Sequence, residues 1–186
     1  MRRFHWILIA LFLTFIVSCG GGSGGGVVGG GGGSTIYAGS FTPAEPNPGA
    51  NSVSLMGSGS SNIVTLTVNV TGTNDVFGGS FDLVYDPTMG EFANWVAGNL
   101  LESGGHQVSY QINAQQAGRV IVGVSRTTIG AGADAGISTA LVQLRLRVID
   151  AGSSPVRIEN ADLFNSQNPP GTLAGISFSG GTLSAQ

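Results

Sequence analysis

The sequence predicts an all-β fold in which about nine short strands form a β-sandwich. Residues 63–71 and 141–148 alternate between apolar and polar side chains, with valine or leucine at every even position from 64 to 70 and from 142 to 148. This period of two is expected of antiparallel strands that have one buried and one wet face. No segment has the 3.6-residue apolar spacing of an amphipathic helix. Many short strands separated by turns are typical of a β-sandwich.

Seven further segments have the apolar alternation of strands. They are separated by turn residues such as Gly72, Asp86-Pro87 and Gly104-Gly105, which favour tight reversals of the chain. In chain order, the nine predicted strands are residues 53–56, 63–71, 80–85, 92–96, 108–113, 119–125, 141–148, 155–158 and 176–183.

The strand at residues 80–85 ends in a Tyr-Asp-Pro turn. Its odd positions, Phe81, Leu83 and Tyr85, are predicted to point inward. Pro87 cannot donate to a ladder and ends the strand. The outward positions are Ser80, Asp82 and Val84. The orientation of residues 119–125 stays open, because three valines at even positions compete with Ile121 for the core.

The amino terminus predicts export and attachment of lipid. Arg2 and Arg3 precede a run from residue 6 to 17 that is apolar apart from Thr14. This run is too short for a bilayer of about 30 Å and is typical of a signal peptide. Residues 16–19, Ile-Val-Ser-Cys, resemble the lipobox of bacterial lipoproteins. The resemblance implies a signal peptide at residues 1–18 and a lipid on Cys19; an ordinary signal peptide that contains a cysteine is the alternative.

A flexible linker is predicted at residues 19–50, followed by one folded domain at residues 51–186. Residues 20–33 contain eleven glycines, and prolines 43, 46 and 48 follow. Such a chain has a root-mean-square reach of about 30 Å, enough to hold a domain clear of lipid headgroups.

Composition argues against several functions. Without residues 1–18, the chain keeps five arginines, no lysine and ten acidic residues, a formal charge of −5, which argues against nucleic-acid binding. Cys19 is the sole cysteine, so disulfides within the chain are excluded. After residue 18 the single histidine is His106, in a glycine-flanked turn; no nucleophile elbow is present, and no calcium loop occurs. We therefore expect no catalysis, no cofactor and no metal in this chain.

The ordered set of motifs from residue 79 onward resembles the cohesin family. Residues 79–88 read Gly-Ser-Phe-Asp-Leu-Val-Tyr-Asp-Pro-Thr, and Glu91-Phe92 and the Gly-Asn-Leu-Leu of residues 98–101 follow. The similarity continues at residues 118–125, 140–148 and 158–165. It implies a nine-stranded jelly-roll β-sandwich, related to carbohydrate-binding modules, that binds a dockerin-containing partner. Calcium is expected only on the dockerin.

The family resemblance also implies where the partner binds. The family uses one flat sheet built around the strand before Tyr-Asp-Pro. Transferred by position, the expected partner-binding residues are Ser80, Asp82, Val84, Ile121, Gly123, Ser125, Gln143 and Arg145. The chain has Gly78 and Ser80 where well-known members have Asn and Asp, so partner specificity does not transfer. Exposed Arg145 and Arg147 are equally consistent with a solvated strand face.

Two other binding functions stay open at this point. A carbohydrate-binding module needs coplanar exposed aromatic rings, and the candidates, Trp95 and Tyr110, lie on separate predicted strands. The chain could also be a surface adhesion module or a structural spacer. For location, Gly20 follows Cys19 where an aspartate would favour retention on an inner membrane. The sequence therefore predicts an exported protein that is lipid-anchored at an outer membrane or cell surface, with a polysaccharide-associated partner.

Overall fold

The computed structural model describes residues 36–186, and this part of the chain contains thirteen β-strands. The described residues are all strand, turn and loop, so they include no helix that is long and apolar enough to cross a membrane. The predicted signal peptide and Cys19 lie outside these residues. The strands are β1 (Gly39–Pro43), β2 (Ser52–Ser60), β3 (Ile63–Thr71), β4 (Thr73–Val76), β5 (Gly78–Val84), β6 (Gly90–Ala97), β7 (Val108–Asn113), β8 (Arg119–Arg126), β9 (Ala133–Ala135), β10 (Thr139–Val148), β11 (Gly152–Phe164), β12 (Ser177–Ser179) and β13 (Gly181–Ala185).

The strands form two facing sheets and a small ribbon. The six-stranded sheet has the order β1-β13-β11-β5-β8-β7, and the five-stranded sheet has the order β12-β2-β3-β10-β6. Strands β4 and β9 pair as a separate ribbon. The pair of β12 with β2 is parallel, and the other strand pairs are antiparallel. The predicted β-sandwich is confirmed.

The core is built from the inward faces of the two sheets, as the alternation predicts. On β3, the four even positions from Val64 to Val70 are fully buried. On β5, Phe81 and Leu83 are buried, and Tyr85 follows them inward. Strand β10 departs from strict alternation, because a bulge between Ala140 and Val142 turns two consecutive residues inward.

The folded domain starts earlier than residue 51. Strand β1 lies within the predicted linker and pairs with β13 from Gly39 opposite Ala185 to Pro43 opposite Gly181. Phe41 is its one buried residue, and its ring fills space that a Cβ atom on Gly57 or Gly181 would occupy. The prediction of a linker up to residue 50 is therefore wrong for β1. One inward side chain in five residues is too weak a pattern to reveal a strand.

The last predicted strand, residues 176–183, is two strands. Strand β12 pairs with β2 in the five-stranded sheet, whereas β13 pairs with β1 and β11 in the six-stranded sheet. Gly180 separates them, and its Cα approaches the carbonyl of Val156 so closely that a Cβ would collide with it. The chain thus crosses between the sheets at a residue where only glycine fits.

Candidate functional site

Six of the eight expected partner-binding residues share one surface. Ser80 lies opposite Gly123, Asp82 opposite Ile121, and Gly78 opposite Ser125, so the outward positions of β5 and β8 form adjacent rows. The open question about β8 is resolved: its three valines are at most 3% exposed, and Ile121 is 48% exposed. We call the outward side of β11, β5, β8 and β7 the outer face.

Gln143 and Arg145 lie on the opposite side of the molecule. They belong to β10, in the five-stranded sheet, and alternate there with buried Leu144 and Leu146. The expectation that all eight residues form one surface is therefore wrong. Alternation distinguishes the buried side of a strand from the exposed side, but it does not reveal to which sheet the strand belongs.

An ion-pair network covers the part of the outer face between β11 and β8. Arg119 Nη1 lies 3.0 Å from Asp82 Oδ2, and its Nη2 lies 3.6 Å from Glu159 Oε2. Arg157 Nε lies 3.0 Å from the other oxygen of Glu159. Asn160 Nδ2 donates to Asp82 Oδ2 at 2.7 Å. Asp82, which accepts hydrogen bonds from Arg119 and Asn160, is only 8% exposed although it points outward.

The network depends on a bulge in β11. Between the pairs Glu159–Asp82 and Asp162–Ser80, β11 carries one residue more than β5. Asn160 in this bulge has a φ of 48°, a left-handed conformation that asparagine tolerates better than most residues. The sequence interpretation missed Arg119, Arg157, Glu159 and Asn160. Asn160 lies beyond the predicted strand 155–158, and the one signal for a bulge there is its residue type, since asparagine tolerates a positive φ.

A trough without charged lining residues runs beside the network. One depression of about 220 Å³ is bordered by Ser80, Gly123 and Ser125 together with Ser109 and Gln111 of β7. A second, of about 410 Å³, adjoins it and reaches Ile121 and Asn113. Both depressions are open to solvent, and Gly123 lines both of them. Because Gly123 has no side chain, the surface of the sheet is lowest at this residue. We call these two depressions together the trough.

Trp95 and Tyr110 come together although they lie on separate strands of different sheets. Their ring centroids are 4.9 Å apart and the ring planes are tilted by 32°. Burial raises the pKa of Tyr110 to about 12, with a smaller contribution from the nearby Glu102 carboxylate. Since the rings pack against each other at an angle, they do not offer the coplanar platform that sugar stacking requires.

The described residues do not present a metal centre. Within residues 36–186, no three side chains among histidine, cysteine, aspartate and glutamate are grouped as metal ligands would be. Asp75 accepts hydrogen bonds from several groups: the Ser166 hydroxyl and the backbone N–H groups of Gly132 and Ser166 lower its pKa. Asp75 therefore ties the β4–β9 ribbon to the loop after β11.

The architecture is that of a β-sandwich binding module with a flat exposed sheet face. Residues 57–169, more than half of the 186-residue chain, match the family model for the cohesin domain. The chain therefore belongs to the cohesin family. No curated protein matches it.

Solved structures with the same fold come from bacteria and an archaeon. The second type II cohesin module of the adaptor scaffoldin ScaA from Acetivibrio cellulolyticus has 15% identity and a TM-score of 0.56 over 80% of this chain and 90% of that one. The sixth cohesin of scaffoldin B from the same organism, solved in complex with a mutant dockerin, has 19% identity and a TM-score of 0.54 over 79% and 97%. A non-cellulosomal cohesin of Archaeoglobus fulgidus has 14% identity and a TM-score of 0.50 over 77% and 88%. These identities support the fold alone.

Proposed function

We propose that this chain is a protein-docking module that binds a dockerin-type partner non-covalently on its outer face. The observation that carries the proposal is the contiguous, partly exposed surface formed by Ser80, Ile121, Gly123 and Ser125 in a chain of the cohesin family. Solved cohesins of similar fold were crystallised with dockerins, which supports a partner of this class. A docking function requires no chemistry of the chain itself, and we expect no catalysis.

The physical form of the outer face suits a protein partner better than a small molecule. Small-molecule sites are concave and bury most of their ligand, whereas the trough is shallow and open. A stable protein complex buries about 800 Å² on each partner. Four adjacent strands provide a surface of that order, and because the sheet is rigid, little conformational entropy is lost on binding.

We further propose that the module is held at a membrane surface through lipid on Cys19. This part rests on the lipobox-like residues 16–19 and the apolar run before them. Two or three acyl chains anchor a protein durably. The glycine-rich segment would then give the domain reach, and a polysaccharide-associated protein is the partner we expect at such a surface.

The docking function is tested by calorimetry on the full chain in detergent. Dockerin modules encoded in the same genome are titrated one by one, first with calcium and then with chelator, since calcium is expected on the dockerin. We expect calcium-dependent binding that is weakened at least tenfold by Ile121→Asp. The matched control is Arg145→Glu, on the opposite sheet, which should bind as the parent chain does. Absence of binding by every dockerin would exclude the proposal and leave carbohydrate binding or a spacer role.

A further inference from the structure

The charged groups of the outer face neutralise one another. Asp82 and Glu159 contribute two negative charges, and Arg119 and Arg157 contribute two positive charges, so the four groups sum to zero. Each of the two arginines already faces a carboxylate. A charged group on a ligand would have to displace one of these contacts before it gained its own. The outer face therefore provides little electrostatic attraction.

Arg145, on the opposite sheet, is an exposed arginine of a different kind. Within residues 36–186, Arg147 Nη1 lies 2.6 Å from Glu91 Oε1, whereas Arg145 forms no ion pair. Its side chain is partly exposed. A guanidinium group presents a planar fork of donors that matches the two oxygens of a carboxylate. Arg145 can therefore take a carboxylate from a ligand without giving up an ion pair.

The surface around Arg145 is a polar row that crosses four strands. We call the outward side of β2, β3, β10 and β6 the back face. The register of these strands places side by side, in the order of the strands, Ser58, Thr65, Arg145 and Asn94. All four are at least partly exposed, and the row is about 14 Å long because neighbouring strands lie about 4.8 Å apart. The next row along the strands consists of Met56, Thr67, Gln143 and Val96.

The side chains of the back face suit an acidic polysaccharide better than a protein or a neutral glycan. The centre of a protein interface relies on aromatic and other large anchors, whereas hydroxyl and amide side chains predominate here. A neutral glycan needs aromatic rings for stacking, but Phe92 and Trp95 of β6 lie opposite buried leucines of β10 and so belong to the inward side. Hydroxyl and amide groups both donate to and accept from sugar hydroxyls, and a guanidinium attracts a carboxylate.

We propose that the back face is a second binding surface, which takes a polysaccharide with carboxylate groups, a polyuronate. Arg145 binds a carboxylate, and the neighbouring Thr65 and Asn94 bind sugar hydroxyls. This function goes beyond docking and does not depend on it, because the two surfaces lie on opposite sheets. The excess of acidic residues in the chain is a weak obstacle, since charges more than about 8 Å away are largely screened at physiological salt. The charged neighbours on the back face, Arg147 and Glu91, sum to zero.

The test is calorimetric titration of the full chain in detergent with a galacturonate oligosaccharide and with a neutral galactose oligosaccharide of the same length. We expect binding of the galacturonate compound alone. Arg145→Gln should weaken this binding at least tenfold, because it removes the charged fork and keeps a polar side chain. The matched control is Arg157→Gln, the same replacement on the outer face, which should stay within twofold of the parent. Raising NaCl from about 50 to 500 mM should weaken binding at least fivefold.

Three results would overturn this inference: no binding of the galacturonate oligosaccharide, equal binding of the neutral one, or parental affinity in Arg145→Gln. Equally tight binding of a short polyglutamate peptide would also overturn it, because the surface would then recognise carboxylates without regard to sugar. Dockerin titration of Arg145→Gln separates the two functions. Unchanged dockerin binding is expected and leaves docking intact whatever the sugar result, whereas its loss would place both ligands on one surface and contradict the inference. Thermal unfolding of each variant checks that the fold is kept.

Discussion

Removing the side chain of Phe41 tests whether β1 is an integral part of the domain. Phe41 is 9% exposed, and its ring occupies the space above two glycines on β2 and β13. Truncating a buried phenylalanine to alanine costs about 3–5 kcal/mol through lost burial and the cavity left behind. Because β1 is an edge strand with one inward residue, we expect Phe41→Ala to cost about 3 kcal/mol, at the low end of that range. For a domain of this size, that corresponds to a fall in Tm of about 6–12 °C.

The measurement is urea unfolding of the full chain, followed by circular dichroism and tryptophan fluorescence. Thr42→Ala is the matched control, since Thr42 is the next residue of β1 and is exposed; its cost should stay within about 1 kcal/mol. If Phe41→Ala were no more destabilising than Thr42→Ala, β1 would not contribute to the stability of the sandwich. The domain would then effectively begin near residue 51, as the composition of the amino-terminal segment predicts.

Three further substitutions test other parts of the structure. Arg126 is 5% exposed and donates to three loop carbonyls, so Arg126→Met should lower the free energy of unfolding by about 3 kcal/mol; a loss no larger than that of an exposed residue would contradict this role. The pKa of Tyr110 is raised above that of an unfolded tyrosine, so its contribution to stability is complete below about pH 10 and is lost as the pH rises towards 12. Unfolding midpoints of Tyr110→Phe should therefore fall less between pH 9 and 12 than those of the parent, and an identical fall would refute the assignment. Gly123→Leu should fill the trough and abolish dockerin binding in calorimetry; the added Cβ meets no atom closer than 3.8 Å, and thermal unfolding of the variant checks that the fold is kept. Full binding by this variant would show that the trough is not used.

The local pattern of the sequence predicted which side of β3 and of β5 is buried, whereas it left the orientation of β8 open. On β3 and β5, apolar residues at every second position lie in the core. This succeeds because the pleat of a strand fixes the direction of each side chain from its position alone. The Tyr-Asp-Pro motif likewise marks the end of β5, and Tyr85 N–H bonds instead to the carbonyl of Gly118.

The alternation pattern could not predict contacts between segments that are far apart in the sequence. The alternation on β10 correctly predicts that Gln143 and Arg145 point outward, but the position of β10 between β3 and β6 places them on the opposite sheet. Strand β1 is held by long-range pairing with β13, 138 to 146 residues further along the chain, and not by a pattern of its own. For the same reason, Arg119 and Asp82, which are 37 residues apart, could not be paired from the sequence.

Backbone geometry explains the remaining part of the outer face. Asn160 meets Asp82 because a bulge adds one residue to β11 and turns the asparagine into the left-handed region. The bulge has no apolar signature, since it interrupts an already irregular run of polar residues. Its consequence is nevertheless large: it completes the network that neutralises one part of the outer face and leaves the trough as the open part.

The most direct test of the account is to map where a dockerin binds the chain by nuclear magnetic resonance. Uniformly ¹⁵N-labelled chain is titrated with the tightest-binding dockerin in the presence of calcium, and backbone amide shifts are followed. The account predicts that the largest changes occur at Ser80, Gly123 and Ser125 on the outer face, with Thr67 and Gln143 on the opposite sheet unaffected. Changes centred on Thr67 and Gln143, with the outer face silent, would contradict it.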